Sequence, residues 1–313
     1  MNGARASDAW LRAMPVVFVL IWSTGFIVAR YGMPHSPPFS FLLARYILSI
    51  ACFLPWILFA KVAWPQTRSQ WLHLSVTGIL MHAGYLGGVW AAVKAGMGSG
   101  LSSLIVGIQP VLTAVWLSWL SRRQASTDAA ALTGDALAPA VSPRQWLGLW
   151  LGFLGLLMVV WHKLSMGSPM DHVTPGNMLF ALAALGSITV GTLYQKRFVK
   201  PCDVRSANSV QLLAAAAVTW PLALLEPEAM HWNGQLMGAM AWSVLGLTLG
   251  GSSLLYMLIQ RGAAASVTSL MYLVPPTTAL LAWCLFDESI TALTLAGTAL
   301  TALGVSLVLR TTR

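Results

Sequence analysis

The chain contains few charged residues. Only 9% of its 313 residues are Asp, Glu, Lys or Arg, whereas an average soluble domain carries about 25%. Since 57% of the residues are hydrophobic, the composition argues against a soluble enzyme, a disordered chain and a nucleic-acid-binding domain. The 18 basic residues are scattered along the chain and form no basic tract. We therefore expect no nucleic-acid partner.

The signatures of metal sites and of membrane-embedded enzymes are missing. The three cysteines, Cys52, Cys202 and Cys284, lie far apart without CxxC spacing, so they predict neither a disulfide framework nor a zinc site. The chain has no HExxH motif, no complete GxSG motif and no Asp inside a hydrophobic segment. We predict that the protein is not an enzyme and that it uses no cofactor and no metal ion.

Acidic residues are scarce, and all nine lie in loops or at the ends of hydrophobic segments. A carboxylate-based proton relay or cation trap requires an acidic residue inside the membrane. Their positions therefore disfavour the export of strongly cationic solutes and favour neutral, zwitterionic or anionic ones. The acidic residues are Asp8, Asp128, Asp135, Asp171, Asp203, Glu226, Glu228, Asp287 and Glu288.

Long hydrophobic runs dominate the chain instead. A helix that crosses the hydrocarbon core needs about 20 mostly apolar residues. Charges, prolines and polar clusters divide the sequence into ten such runs, so we predict an all-α integral membrane protein with ten transmembrane helices. The predicted spans are 13–33, 38–60, 70–94, 97–121, 144–163, 174–197, 206–226, 234–258, 262–286 and 289–309.

The basic residues predict the orientation of these spans. With the N-terminus in the cytoplasm, fourteen Lys and Arg residues fall on the inside. Only Arg30, Lys94 and Lys163 fall on the outside. Because cytoplasmic loops carry the excess of basic residues, both termini are predicted to be cytoplasmic.

The second half of the sequence resembles the first at a constant shift, which we call the repeat offset. At this offset Gly25 is equivalent to Gly191. After a polar cytoplasmic loop at 122–143 the offset is smaller, so that Gly148 is equivalent to Gly297. Further pairs at the repeat offset are Arg45 and Gln211, Gly84 and Gly250, Trp90 and Tyr256, and Pro110 and Pro276. We predict one five-helix repeat in residues 1–163 and a second in 174–313. An odd number of spans inverts the second repeat, which is the architecture of many secondary transporters, although duplication can also leave symmetry without transport.

Prolines and glycines predict where helices bend and touch. Pro110 and Pro276 lie at matching positions in the fourth and ninth spans, where they act as hinges or merely bend the helices. Glycines separated by three other residues permit close packing of helix backbones. The predicted packing glycines are Gly84, Gly88, Gly148, Gly152, Gly246 and Gly250.

Polar and aromatic residues within the spans are the candidate substrate contacts. Arg45 either binds a substrate carboxylate or extends to the outer interface and pairs with a neighbour. His82 is either a hydrogen-bonded packing residue or a substrate contact or proton carrier. Gln109 adjoins a predicted hinge. The aromatic candidates are Trp22, Tyr85, Trp90, Tyr194, Tyr256 and Tyr272, and of these Trp90 and Tyr256 occupy equivalent repeat positions.

Several stretches of the chain resemble the ten-helix EamA-type branch of the drug/metabolite transporter superfamily. They are residues 22–30, 41–46, 95–104 running to Pro110, 261–270 running to Pro276, and the closing Asp287-Glu288 with Gly297 and Gly304. The resemblance covers about residues 12–310. It implies a carrier of the bacterial inner membrane that exports amino acids or related metabolites by alternating access around a central cavity.

The expected partners are therefore a small-molecule solute and the lipid bilayer, with the protein acting as a monomer or homodimer. A flippase for lipids or lipid-linked head groups is the alternative, because it shares the fold. It would favour a lateral opening, with Arg45 or another cation on the head group.

Overall fold

In the computed structural model, all regular secondary structure of the described residues is helical, as predicted. The structure describes residues 2–60, 62–109, 111–113, 115–116, 119, 142–166, 172–255, 273–287 and 290–309. Pro110, Tyr256, Tyr272 and most of the predicted loop 122–143 lie outside these residues. The helices are α1 (Asn2–Gly32), α2 (Pro38–Phe59), α3 (Arg68–Lys94), α4 (Ser99–Val106), α5 (Pro143–Met166), α6 (Pro175–Phe198), α7 (Val204–Leu224), α8 (Gly234–Leu255), α9 (Val274–Phe286) and α10 (Ala292–Leu309).

Each of these helices overlaps one predicted span. Within the described residues, five helices (α2, α3, α6, α7 and α8) are long and apolar enough to cross a membrane. Shorter apolar stretches of 10–17 residues coincide with the other five, and the stretch that begins with α4 continues beyond the end of that helix. The chain is thus a multi-pass, all-helical membrane protein in its described part, and the count of ten spans remains a prediction.

Polar side chains cap the beginnings of four helices. Thr174 and Asn177 form a capping box at the start of α6, in which each side chain accepts a hydrogen bond from the other residue's backbone N–H. Thr67, Asp203 and Asn233 each accept a backbone N–H at the starts of α3, α7 and α8. These caps satisfy N–H groups that have no partner within the helix, so the local sequence determines where the helices begin.

Two helices contain π-helical segments at matching positions of the sequence repeat. Ile79–Gly84 forms such a segment within α3, and Ser243–Ser252 forms one within α8. The repeat offset maps the first segment onto positions 245–250, which fall inside the second. Carbonyl groups of the α3 segment accept side-chain hydrogen bonds, with His82 O bound by Tyr46 and Leu80 O bound by Ser187. Such segments are common at functional sites.

Helices from the two halves of the chain pack against each other. The most extensive pairs are α5 with α10, α2 with α7, and α3 with α6. α3 also contacts α7, and α8 contacts both α1 and α2. Further contacts join α1 with α9, α4 with α9, and α4 with α6.

Glycines bring the backbones of α3 and α6 close together. A Cβ atom built on Gly88 would lie 2.7 Å from the Phe180 carbonyl oxygen and 2.9 Å from Ala184 Cβ. A Cβ atom on Gly84 would collide with the Ser187 hydroxyl. Both positions thus have no room for a side chain at this helix contact.

The other predicted packing glycines differ in what they contact. A Cβ atom on Gly304 of α10 would collide with the backbones of Gly148 and Gly152 on α5. A Cβ atom on Gly152 itself would point into open space. On α8, a Cβ atom at Gly250 lies near Ile21 of α1, but one at Gly246 would meet Trp242 of its own helix. The atoms nearest to a Cβ at Gly246 thus belong to the Trp242 ring in the preceding turn of the same helix.

Candidate functional site

An open cavity lies between α1, α2, α3, α6, α7 and α8, and it contains about 860 Å³ of empty space, including a part that is open to solvent. Both halves of the chain contribute to its walls. Five of the nine residues predicted to contact substrate line it, namely Trp22, Arg45, His82, Tyr85 and Trp90. Additional wall residues that the sequence analysis did not select are Gln195, Asn208, Gln211, Leu247, Ser252 and Leu255.

Arg45 places a guanidinium group in the wall of this cavity. Only 5% of the residue is exposed, and its Nε donates a hydrogen bond of 3.1 Å to Thr248 Oγ1 of α8. Tyr85 lines the same cavity. Among the described residues, no carboxylate pairs with Arg45, and none of them accepts a hydrogen bond from its two terminal nitrogens. The side chain therefore does not extend to the outer interface, which was one of the two interpretations open from the sequence.

The π-helical segment of α8 explains how Thr248 receives this hydrogen bond. The Thr248 hydroxyl donates to the Ser243 carbonyl five residues earlier, at 2.9 Å. Its proton is thus engaged within α8, and its oxygen is left to accept from Arg45. The repeat offset relates His82 to Thr248 in the same way that it relates Arg45 to Gln211. The equivalent residues His82 and Gln211 line the same cavity.

Aromatic side chains form the apolar part of the wall. Trp90 is 1% exposed and stacks on Phe41 with ring centroids 4.5 Å apart. Trp22 packs against Phe18 at 5.2 Å. Because each indole is supported by a neighbouring ring, these surfaces are held in place for contact with an apolar solute.

Asn208 is a polar wall residue that the sequence analysis missed. It is 6% exposed, and its Nδ2 has no hydrogen-bond partner among the described residues. Thr248 was missed as well. The signals available from the sequence were an amide inside a predicted span for Asn208 and the repeat offset from His82 for Thr248.

Gln109 and Pro276 lie away from the main cavity. Gln109 lines a smaller neighbouring cavity of about 330 Å³ together with Pro275, and its Nε2 donates to Thr192 Oγ1 at 2.9 Å. Pro276 lies in the first turn of α9, where the missing N–H interrupts no helical hydrogen bond. It therefore does not kink the described part of this helix, and its role as a hinge remains a prediction.

Tyr194 is not among the residues that line either cavity. Its hydroxyl forms a hydrogen bond of 2.7 Å with His73 Nδ1 on α3, and its ring lies 4.8 Å from that of Phe198. The residue thus joins α6 to the first turns of α3, where its ring is engaged by neighbouring side chains.

Polar contacts join the loops and helix ends on the side of the protein where α2 begins. Glu226 accepts hydrogen bonds from the backbone N–H groups of Phe39 and Ser40, at 2.8 and 2.7 Å. Lys94 forms an ion pair with Glu228 at 2.5 Å. His35 is hydrogen-bonded to Gln235 at 2.6 Å. The connection between α1 and α2 is thus tied to the one between α7 and α8.

At the start of α7, Asp203 both caps the helix and pairs with a cation. Its carboxylate accepts hydrogen bonds from the backbone N–H and the guanidinium of Arg205, the shortest at 2.7 Å. The side-chain hydrogen bond from Arg205 lowers the pKa of Asp203 below its ordinary value.

Comparison with known proteins identifies the family. The model of the EamA-like transporter family matches residues 13–138 and 175–310. The chain belongs to the EamA-like transporter family. The match confirms the resemblance drawn from the sequence motifs, and the chain is accordingly a membrane transporter.

Relatives of this EamA-like transporter cover nearly its whole length. A probable amino-acid metabolite efflux pump of Salmonella typhimurium is 24% identical over 93% of this chain and 92% of its own. An uncharacterized inner membrane transporter of Escherichia coli K12, YedA, is 23% identical over 87% of this chain and 81% of its own. Both are named as transport proteins and neither as an enzyme, which is consistent with the prediction from the missing catalytic motifs.

A solved structure shares the fold of this EamA-like transporter. It superimposes with a TM-score of 0.63 and covers 94% of both chains, with 18% sequence identity. At that identity, the likeness shows the fold alone.

Proposed function

We propose that this EamA-like transporter exports amino acids or related small metabolites across the bacterial inner membrane by alternating access. The observation that carries the proposal is the central cavity, which both halves of the chain line and which combines apolar aromatic walls with the buried guanidinium of Arg45. Such a mixture suits a small solute that has both an apolar part and a polar group. The name of the relative from Salmonella typhimurium supports the choice of amino-acid metabolites.

The pattern of helix contacts supports two repeats that pack around a common axis. Each helix can be exchanged with its counterpart in the other half of the chain, α1 with α6, α2 with α7 and so on up to α5 with α10. This exchange converts the α3–α6 contact into the contact between α8 and α1. The same exchange converts α3–α7 into α8–α2 and α4–α6 into α9–α1. It leaves the pairs α5–α10, α2–α7 and α4–α9 unchanged, and every one of these contacts occurs. Two inverted five-helix repeats with both termini in the cytoplasm would produce this pattern.

The closed end of the helices supports alternating access. In the proposed orientation, the contacts made by Glu226, Lys94 and His35 lie on the outer side. The cavity wall includes Gln195 and Leu255, which lie towards the opposite, cytoplasmic ends of α6 and α8. A carrier in this state receives solute from the cytoplasm, and breaking the outer contacts would release the solute outside.

Export is tested in inside-out membrane vesicles, where the exporter faces solute added to the medium. We expect vesicles that contain the protein to accumulate a radiolabelled amino acid from a complete amino-acid panel faster than vesicles without it. The measurement is repeated with and without a pH gradient. Cells that overexpress the protein should also resist toxic analogues of the same amino acid.

If no member of the panel moves and a lipid-linked probe does, the export proposal is wrong. The flippase alternative has no support from the named relatives, which are described as an efflux pump and transporters.

A further inference from the structure

We infer that the transported solute carries a carboxylate and that Arg45 binds it in the central cavity. This inference rests on the proposed function and makes its substrate class specific. The expected ligand is an organic monocarboxylate with an apolar or aromatic side chain.

The described residues leave the charge of Arg45 uncompensated. A buried guanidinium is costly unless an anion and further hydrogen bonds compensate it. Arg45 is 5% exposed, and the described residues offer it the hydroxyl of Thr248 but no carboxylate. A charge left unpaired in the wall of a cavity is compensated when an anionic ligand enters.

The geometry of the guanidinium also suits a carboxylate ligand. The hydrogen bond to Thr248 uses only Nε and orients the group at the junction of α2 and α8. The two terminal nitrogens are left as paired donors, which is the arrangement that binds the two oxygens of a carboxylate. Thr248 thus acts as a positioning residue.

A second donor lies in the same cavity wall. The Nδ2 group of Asn208 is buried without a partner among the described residues. Buried donors of this kind normally have a hydrogen-bond partner. A carboxylate oxygen that is not fully occupied by Arg45 would accept a hydrogen bond from this amide.

The residues of the cavity wall favour a solute that carries a single negative charge and is otherwise apolar. One guanidinium compensates one negative charge, whereas a phosphate group carries about −1.5 to −2 charges at neutral pH. No acidic residue is among the described residues of the wall, so a cationic solute has no charged partner there. Trp22, Tyr85 and Trp90 would contact the apolar part of the solute.

The test compares two compounds of the same shape that differ in charge. Purified protein in detergent is titrated with 3-phenylpropionate and with its neutral amide, 3-phenylpropionamide, and binding is measured by calorimetry. We expect the carboxylate to bind at least about tenfold more tightly than the amide, because hydrogen bonds to charged groups are stronger than neutral ones. Arg45→Gln should reduce this ratio to near one, and Arg45→Lys should give an intermediate ratio because it keeps the charge without the paired donors.

Arg197→Gln is the matched control. Arg197 is an exposed cation of α6 outside the cavity, so this variant should keep the tenfold ratio. Thermal unfolding provides a second measurement. Without ligand, Arg45→Gln should unfold at a temperature no lower than the unmodified protein, since it removes an unpaired buried charge. The carboxylate should raise the unfolding temperature of the unmodified protein but not that of Arg45→Gln.

Three results would overturn the inference: equal binding of the two compounds, a ratio that survives in Arg45→Gln, or no binding of either compound. A purely structural role for Arg45 predicts that the glutamine variant unfolds more easily and that its ratio does not change. Export is measured separately in vesicles. Transport of amino acids with an unchanged ratio in Arg45→Gln would refute the role of Arg45 and leave the proposed function intact.

Discussion

The guanidinium Nε of Arg45 donates a hydrogen bond of 3.1 Å to the hydroxyl of Thr248, which links α2 to the π-helical segment of α8. These two residues are 203 positions apart in the chain. Each has a counterpart at the repeat offset, Gln211 for Arg45 and His82 for Thr248, and those two residues line the same cavity. The hydrogen bond between Arg45 and Thr248 thus joins the two halves of the transporter at its central cavity.

Replacing Thr248 with Val should destabilise the protein. The substitution keeps the shape of the side chain but leaves Arg45 Nε without its acceptor, at a cost of about 1–3 kcal/mol in the free energy of unfolding. Thr219→Val is the control, because the Thr219 hydroxyl is buried without a hydrogen-bond partner among the described residues. It should leave stability unchanged or raise it slightly. Thermal unfolding of both variants checks the prediction, and equal behaviour would contradict it.

Replacing Gly88 with Ala should weaken the packing of α3 against α6. The new Cβ atom would lie 2.7 Å from the Phe180 carbonyl, so the helices must move apart, at a cost of about 1–3 kcal/mol. Gly186→Ala is the control on α6, where a Cβ atom meets nothing within 4 Å. Because Ala favours helix more than Gly does, this variant should be as stable as the unmodified protein or more so. The idea fails if Gly88→Ala unfolds at the same temperature as Gly186→Ala.

The contribution of Asp203 to stability should depend on pH. Its pKa in the folded protein lies below the ordinary value of 3.8, and the main cause is the hydrogen bond from Arg205. A carboxyl group with a lowered pKa stabilises the folded state above its unfolded pKa and loses this contribution as the pH falls through the folded pKa.

Asp203→Asn tests this dependence, because asparagine keeps the helix cap and removes the ion pair. The unmodified protein should be more stable than the variant near neutral pH, and the difference should shrink below about pH 4. Thermal unfolding across this range measures it. A difference that stays constant down to about pH 2 would show that the ion pair is not its source.

The proposed inversion of the second repeat relative to the first predicts the accessibility of two equivalent exposed positions. Pro34 lies at the end of the helices where α2 begins, and Lys200, its equivalent at the repeat offset, follows α6. We replace Cys52, Cys202 and Cys284 with Ser and introduce either Pro34→Cys or Lys200→Cys. An impermeant maleimide added to intact spheroplasts should label the cysteine at position 34 and leave the one at position 200 unlabelled. In inside-out vesicles the pattern should reverse, and labelling of both positions from one side would exclude inverted repeats.

Part of the candidate site could be predicted because polar residues in apolar runs are conspicuous. Arg45 and His82 were selected on that ground, and both line the cavity. Trp90 was selected for its repeat position and lies there as well. The repeat offset also relates the two π-helical segments, although nothing in the sequence analysis predicted that geometry.

The structure places other candidate residues away from the contacts that the sequence predicts for them. Tyr194 is a candidate because it is an aromatic residue within a predicted span, but its hydroxyl is hydrogen-bonded to His73 on α3. Gly246 belongs to a close-packing motif, yet a Cβ atom there would meet Trp242 of the same helix. Asn208 and Thr248 line or support the cavity without any sequence signal strong enough to select them. Which face of a helix is buried depends on its neighbours, and the sequence pattern of an apolar span does not report it.

The sequence by itself determined that the chain is a helical membrane protein of a transporter family and where most helices begin, and it predicts which positions of its two halves correspond. Those properties follow from local hydrophobicity, from capping residues and from the sequence similarity between the two halves at the repeat offset. Only the tertiary structure decided that Arg45 remains buried against Thr248 instead of extending to the membrane surface. Its position depends on the packing of α2 against α8, and helices from opposite halves of the chain are brought together only by folding.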